Sequence, residues 1–348
     1  MTKKHRDIYA ALPGLLLPWY AQNARVMPWR GEKNPYCVWL SEIMLQQTRV
    51  ETVRGYYTRF LAALPDVAAL ACAPQEQLLK LWEGLGYYSR ARNLQKAARQ
   101  LQEQFGGVFP QTEEALQKLP GIGPYTAGAI ASICFERPAP AVDGNVLRVL
   151  SRVTHDIRPI DSPQLKNEMT QSLAEVYPAG HCGDFTQALM ELGAMVCLPN
   201  GAPLCGDCPL VALCLAHKND CERTLPVKGE KKVRKKQCLA VFVLTHAGSL
   251  ALRKRPPSGV LAGLWELPNT EGKLSPAEAL RQAAQWGVQP KDLTKQLKRK
   301  HIFTHLEWEM DCFFLECARQ NEDFTWVSRA VLAEEISLPT AFKKILEK

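Results

Sequence analysis

Apolar positions recur at a helical spacing through the first two-thirds of this chain and at a strand spacing through much of the last third. Residues 6–25 predict a helix with Tyr9, Leu12, Leu16 and Tyr20 on one side. Asn34-Pro35 predicts a helix start, with Asn34 as cap and Pro35 in the first helical position. That helix is expected to run on through YCVWLSEIMLQQTRVETVRGYYTRFLAAL, with Leu40, Ile43, Met44, Val50, Val53, Tyr57 and Phe60 as its core stripe. LLKLWEGLGYYSRARNLQKAARQL predicts another amphipathic helix, broken at Gly84-Leu85-Gly86. Further helices are expected over 163–175 and 185–197.

The pattern then changes. CLAVFVLTH and LALRKR flank Ala247-Gly248-Ser249, a hairpin signal. GVLAGLWELP, residues 259–268, reads as a buried strand. Ser275-Pro276-Ala277-Glu278 is a capping box opening a helix to about Trp286. HLEWEMDCFFLEC, residues 305–317, alternates, with Leu306, Trp308, Met310, Cys312 and Phe314 on one face. The expected organisation is a mainly α domain over 1–216, a basic linker poor in apolar residues over 217–236, and an α+β domain over 237–348.

Composition narrows the function classes. A formal net charge of +8 fits a polyanionic partner without identifying one. No apolar run is long enough to span a bilayer. The N-terminus has basic residues but only a short apolar run and no clear cleavage site, so it reads as a helix and not as a signal peptide. The twelve cysteines are then expected as reduced thiols and metal ligands. Cys197, Cys205, Cys208 and Cys214, spaced C-x7-C-x2-C-x5-C, suffice for one metal centre. Zinc and [4Fe–4S] both accept four thiolates, although the usual two-plus-two zinc spacing has a longer middle gap.

The most informative stretch is Leu119–Val149, LPGIGPYTAGAI followed by a loop and VDGNVLRV. Gly121 and Gly123 form a tight turn that allows close backbone approach, and the helix behind it offers free N–H groups to a phosphate. An ordinary joint between two helices would read the same way. Asp143, followed by Gly144 and Asn145, stands at the mouth of the next helix. Glu42 has Val38 and Leu45 on its own helix face, an apolar setting that raises a carboxyl pKa toward that of a neutral-pH general acid. By spacing alone a surface residue or a buried ion-pair partner is the favoured reading.

The LPGxGxxTA string with its downstream Asp resembles the helix-hairpin-helix DNA glycosylases, and WLSEIMLQQT resembles the adenine glycosylases of the MutY type. The resemblance covers nearly the whole chain. It implies a helix-hairpin-helix catalytic domain with a [4Fe–4S] loop, followed by a Nudix-like domain. In the lyase branch a Lys forms a Schiff base with the sugar; here that position is Tyr125, and a phenol forms no imine, so a monofunctional enzyme is expected. Glu42 would protonate the base. Asp143 would stabilise the sugar cation, Tyr125 would hydrogen-bond within the acid pair, and Asn145 would hold the water or a phosphate. Gln47 and Thr48 would line the groove beside the opposite base, and Gln187 would contact the edge of adenine. In the GLGYYSRARNL string, Leu85 and Tyr87 are the candidate wedges in the base stack; core packing is the plainer reading of Leu85.

Cys197, Cys205, Cys208 and Cys214 would hold the [4Fe–4S] cluster, although the family spacing is C-x6-C-x2-C-x5-C and this chain has one extra residue in the first loop. That departure makes Cys221 an alternative ligand. Phe303-Thr304-His305 stands where the family carries a Phe-Ser-His loop for 8-oxoguanine, and Thr keeps the hydroxyl. The helix AEALRQAAQWGV lacks the acidic residues with which a Nudix hydrolase binds magnesium, so this domain is expected to bind and not to hydrolyse. The expected reaction is removal of adenine mispaired with 8-oxoguanine or guanine in double-stranded DNA, by a monomer in a bacterial cytoplasm. Two other readings remain: a thymine or uracil mismatch glycosylase of the same superfamily, and a non-catalytic mismatch-binding protein.

Overall fold

The computed structural model describes residues 3–229 and 233–347; residues 230–232, inside the expected linker, lie outside the described residues. The chain falls into two compact units. One runs to Cys72 and resumes at Arg92; the other takes Ala73–Ala91 together with the chain that follows the linker. The stretch 73–91 therefore groups with the second unit although it lies within the first in sequence. Its polar side chains show why. Lys80 Nζ donates to the carbonyls of Leu332 and Ile336 at 3.4 and 2.9 Å. Glu83 accepts from the Leu338 N–H at 3.3 Å and pairs with Lys343 at 3.3 Å.

The first unit is helical. Its N-terminal helix, Lys3–Asn23, buries Ile8, Tyr9, Leu12, Leu16 and Tyr20 against Val146, Leu150, Phe185 and Leu192 of later helices. The long helix expected from Pro35 is two helices, Pro35–Leu45 and Val50–Ala63. Asn34 caps the first by accepting from the Tyr36 N–H at 3.0 Å. The apolar stripe continues across the break, which has neither Gly nor Pro to announce it. Gln47 instead takes a left-handed φ of 59°, a conformation that costs a non-glycine residue energy and is held by its surroundings. The helix Pro124–Phe135 is apolar on every side and lies inside the unit. There the absent side chain of Gly128 matters, since a Cβ would lie 2.4 Å from the Pro140 carbonyl oxygen.

The second unit is built on a seven-stranded sheet: β1 (Lys235–His246), β2 (Ser249–Lys254), β3 (Trp265–Glu266), β4 (Asn269–Glu271), β5 (Pro290–Ile302), β6 (Leu306–Cys317) and β7 (Thr325–Val327). Its order is β3-β2-β1-β6-β5, with β4 on β1 and β7 on β2, and β1 runs parallel to β6. Both faces are covered. Val241, Trp308, Met310 and Cys312 pack against Phe342 and Ile345, while Phe242, Phe313 and Leu315 pack against Ala279 and Ala283. The strand expected over 259–268 is reduced to the two residues of β3, because Leu261 and Gly263, at φ 55° and 67°, turn the chain before it. Strand β5, in contrast, carries no apolar alternation. It is an edge strand rich in Lys and Arg, held by its ladder to β6. Glu278 is committed to the capping box, its carboxylate accepting from the Ser275 N–H at 2.8 Å. No helix among the described residues is long and apolar enough to cross a membrane.

Candidate active site

A cavity of about 440 Å³ in the first unit gathers Glu42, Tyr125, Asp143, Asn145 and Gln187 from four helices. Gln47 and Thr48 stand on its wall because the break after Leu45 turns them there. Glu42 is 6% exposed, and its neighbours Val38 and Met44 are buried with it. Burial raises its pKa to about 7; the nearby Asp143 adds to the rise, and the hydrogen bond from Tyr125 and the charge of Arg30 oppose it. The phenol of Tyr125 donates to Glu42 at 2.6 Å, and burial beside two carboxylates raises the pKa of that phenol well above its usual value. Tyr125 thus stays a neutral donor. Because this donation favours the charged carboxylate, Tyr125→Phe is expected to push the Glu42 pKa higher. The alkaline limb of a single-turnover pH–rate profile should then move to higher pH; a move the other way contradicts the assignment.

Asp143 caps the helix Gly144–Thr154. One carboxylate oxygen accepts from the N–H groups of Asn145 and Val146, each at 2.8 Å, and the other from the Asn145 side-chain amide at 2.9 Å. Burial is the larger effect and leaves its pKa above the usual aspartate value, while these three donors hold the rise down. Donors and helix dipole favour the ionised form here, whereas the surroundings of Glu42 favour the protonated one. Asn145 is itself held, its side-chain oxygen Oδ1 accepting from Arg148 at 2.9 Å. A Cβ on Gly193 would lie 2.7 Å from the Asn145 Cβ. Gly193→Ala is therefore expected to destabilise the fold by about 1–3 kcal/mol through overpacking. Thermal unfolding measures that loss, and slowed base release is expected with it because Asn145 and Asp143 shift together.

The turn before Tyr125 uses its two glycines differently. Gly121 has φ +78°, and a Cβ there would meet the Asn93 Cβ at 2.7 Å. Gly123 caps the helix Pro124–Phe135 at φ −90°, and apart from its immediate chain neighbours nothing in the protein comes within 4 Å of where its Cβ would stand. Its missing side chain leaves room for something outside the chain.

Cys197, Cys205, Cys208 and Cys214 line one cavity of about 20 Å³, with Arg152 donating to the Cys197 sulfur at 3.2 Å. Cys221 is not part of that wall; its thiol points to the Ala216 carbonyl at 3.4 Å. Tetrahedral zinc with Zn–S near 2.3 Å holds its sulfurs about 4 Å apart. Among the described residues, the only three or more ligand atoms within 4.8 Å of one another belong to Cys205, His217 and Glu222. The four thiols are therefore spread more widely than one zinc requires, and their donor chemistry and spread suit a larger cluster.

In the second unit Tyr87 is half-exposed at a left-handed φ of 46°, and its phenol lies 3.0 Å from the Thr304 hydroxyl. The ring of Phe303 packs edge-on to Trp308 at 4.8 Å. Thr304 and His305 are exposed at the turn between β5 and β6. Leu85, at 5% exposure, is buried, and its carbonyl accepts from Arg90 at 3.0 Å. Of the two candidate wedges, only Tyr87 has an accessible side chain.

Residues 40–178 match the HhH-GPD superfamily of base excision DNA repair proteins, and residues 240–348 match the NUDIX domain. An adenine DNA glycosylase of Homo sapiens is 37% identical over 98% of this chain and 74% of its own length. The chain belongs to the adenine DNA glycosylase family. The likeness extends to an adenine DNA glycosylase of Buchnera aphidicola, 30% identical over 96% of both chains. A thermostable thymine-DNA glycosylase shares the fold of the helical part, with a TM-score of 0.55 and 26% identity over 63% of this chain and 99% of that one.

Two residues of this glycosylase's cavity escaped the sequence reading. Arg30 donates to the Gln187 side-chain oxygen and pairs with Glu191, which also binds Arg25 at 2.7 Å. The edge of Gln187 is thus already oriented by Arg30. Arg30 follows MPW in what reads as a loop. Glu191 carried the better signal, standing one helical turn beyond Gln187 on the same face.

Proposed function

We propose that this member of the adenine DNA glycosylase family hydrolyses the N-glycosidic bond of adenine opposite 8-oxoguanine or guanine in duplex DNA, acting as a monofunctional, monomeric enzyme. The observation that carries the reading is the acid pair, with Glu42 protonated near neutral pH and Asp143 held as a carboxylate in the same cavity. The adenine leaves the stack and enters the cavity, at a cost of about a few kcal/mol. Glu42 delivers a proton to N7, which makes adenine a better leaving group. Positive charge grows on the sugar and is met by Asp143. Asn145 holds the attacking water or a flanking phosphate. Tyr125 keeps Glu42 in place and has no amine with which to trap the sugar.

The other candidates have supporting roles. Gly121 and Gly123 bring the backbone and the helix N-terminus to a DNA phosphate; the open space at Gly123 supports this. Gln47 and Thr48 face the opposite base, and Gln187 faces the edge of adenine. Tyr87 enters the stack, and the 303–305 loop reads 8-oxoguanine through the Thr304 hydroxyl. The residues that would hold a [4Fe–4S] cluster are Cys197, Cys205, Cys208 and Cys214. Bound by these four thiols, such a cluster would tie down the loop that follows the helix Cys182–Met195. The test is single-turnover base release from duplexes carrying adenine opposite 8-oxoguanine, with thymine and uracil opposite guanine as controls, each followed by hot alkali. Adenine release with strand cleavage only after alkali is expected. Release of thymine or uracil, or binding without release, overturns the reading.

A further inference from the structure

A second cavity, of about 210 Å³, opens in the second unit between β5 and the last helix, Thr340–Leu346. Arg299, Lys300 and His301 line it from β5, and Lys344 lines it from the helix. Glu347 is its one acidic side chain. Lys300 is partly neutralised by Glu307 at 2.6 Å, which leaves Arg299 and Lys344 as the main cationic groups. The floor is Met310, Thr340 and Ala341, with no Phe, Tyr or Trp on which a free base could stack. Strand β5 continues the charge away from the cavity with Lys291, Lys295 and Lys298, against the single acid Asp292. A line of cations along an exposed strand edge fits an extended polyanion better than a single small ligand.

The cavity is joined to the loop that follows it. The His301 ring packs edge-on against Phe303 at 4.6 Å, and Phe303 packs on Trp308. A group bound beside His301 therefore sits two residues from the Phe303-Thr304-His305 turn, on the same run of packed rings.

We propose that Arg299, Lys344 and His301 form a phosphate site that takes a backbone phosphodiester of the DNA strand carrying the base opposite adenine. The proposal rests on the assignment of the 303–305 loop to that base. The bound phosphate fixes the strand against β5, and the His301–Phe303 contact then sets the position of the loop. Phosphate contacts of this kind position a duplex, while other side chains read its bases.

The test uses the full chain carrying Arg299→Ala and Lys344→Ala together. Both side chains are exposed, so the fold is expected to persist. Binding is measured against salt on a duplex with a non-cleavable adenine analogue opposite 8-oxoguanine. The double variant should bind about tenfold more weakly and lower the slope of log K against log salt by about 1. Methylphosphonates placed singly along the 8-oxoguanine strand should weaken the wild type at one linkage and leave the variant indifferent there. Lys273→Ala together with Arg281→Ala, which removes two exposed charges outside the cavity and off β5, is the control.

An unchanged salt slope, or a loss equal to that of the control, overturns the proposal. Loss of free dGTP binding without loss of duplex binding assigns the site to a nucleotide phosphate and overturns it as well. Failure of the adenine-release reading would appear separately, since binding and its salt slope are measured without base release.

Discussion

Glu42→Gln is expected to release adenine at least about 10²-fold more slowly under single-turnover conditions yet to bind the mispaired duplex. Removing a general acid costs about 10²–10⁴-fold, and glutamine has no proton to give. The side-chain oxygen of glutamine still accepts from Tyr125, so the cavity keeps its shape. In the wild type the proton is present below the Glu42 pKa of about 7, so the rate should fall about tenfold per pH unit above that value.

The same substitution should raise stability. A buried carboxyl whose folded pKa lies above its usual 4.5 binds more protons folded than unfolded, so stability falls as pH rises from about 4.5 to 7. Above pH 7 this shift corresponds to about 3 kcal/mol. Glu42→Gln at pH 8 should recover much of it, and at pH 4 little. Chemical denaturation at the two pH values checks this. Equal stability changes at both would mean that Glu42 is not strained by burial. Persistent adenine release would remove it from the mechanism.

Asp143→Asn is expected to slow base release by about 10²–10³-fold at a modest cost in melting temperature, because its amide replaces the oxygen that accepts from the Asn145 side chain and sets donor against donor there. Asparagine is as good an N-cap as aspartate, and its oxygen takes over from Oδ1 in accepting the Asn145 and Val146 N–H groups. What it lacks is the charge that meets the sugar cation, a loss comparable to removing one preorganised electrostatic group. Asp143→Ala should lose the rate and also about 1 kcal/mol of helix capping. If the asparagine variant kept the wild-type rate, the residue would be a cap and nothing more. Single-turnover rates paired with thermal unfolding separate the two roles.

Much of this protein was legible in its sequence. The helical period, the Asn34-Pro35 start, the capping box at Ser275 and the alternation of 305–317 are local features, and local steric and hydrogen-bond rules decide them. The glycine turn and the four cysteines were legible as motifs, because their chemistry depends on spacing along the chain.

Other features depended on contacts between distant residues. The break at Gln46–Arg49 has no local signal; Gln47 takes a left-handed conformation that only its packed surroundings hold, and that turns Gln47 and Thr48 toward the cavity. Strand β5 has no apolar alternation, only Leu293 and Leu297 packing inward, and exists because β6 offers it a ladder. Residues 73–91 join the second unit through Lys80 and Glu83, whose partners lie some 250 residues away. Arg30 meets Gln187 and Glu191 across about 160 residues. The sequence by itself determined which residues carry acid, thiol and hydroxyl chemistry. Only the tertiary structure decided which of them share a cavity and how far burial lifts the proton affinity of Glu42, because desolvation is a property of the packed surroundings and not of the residue; Asp143 is buried as well, and the donors of its own helix cap hold its rise down.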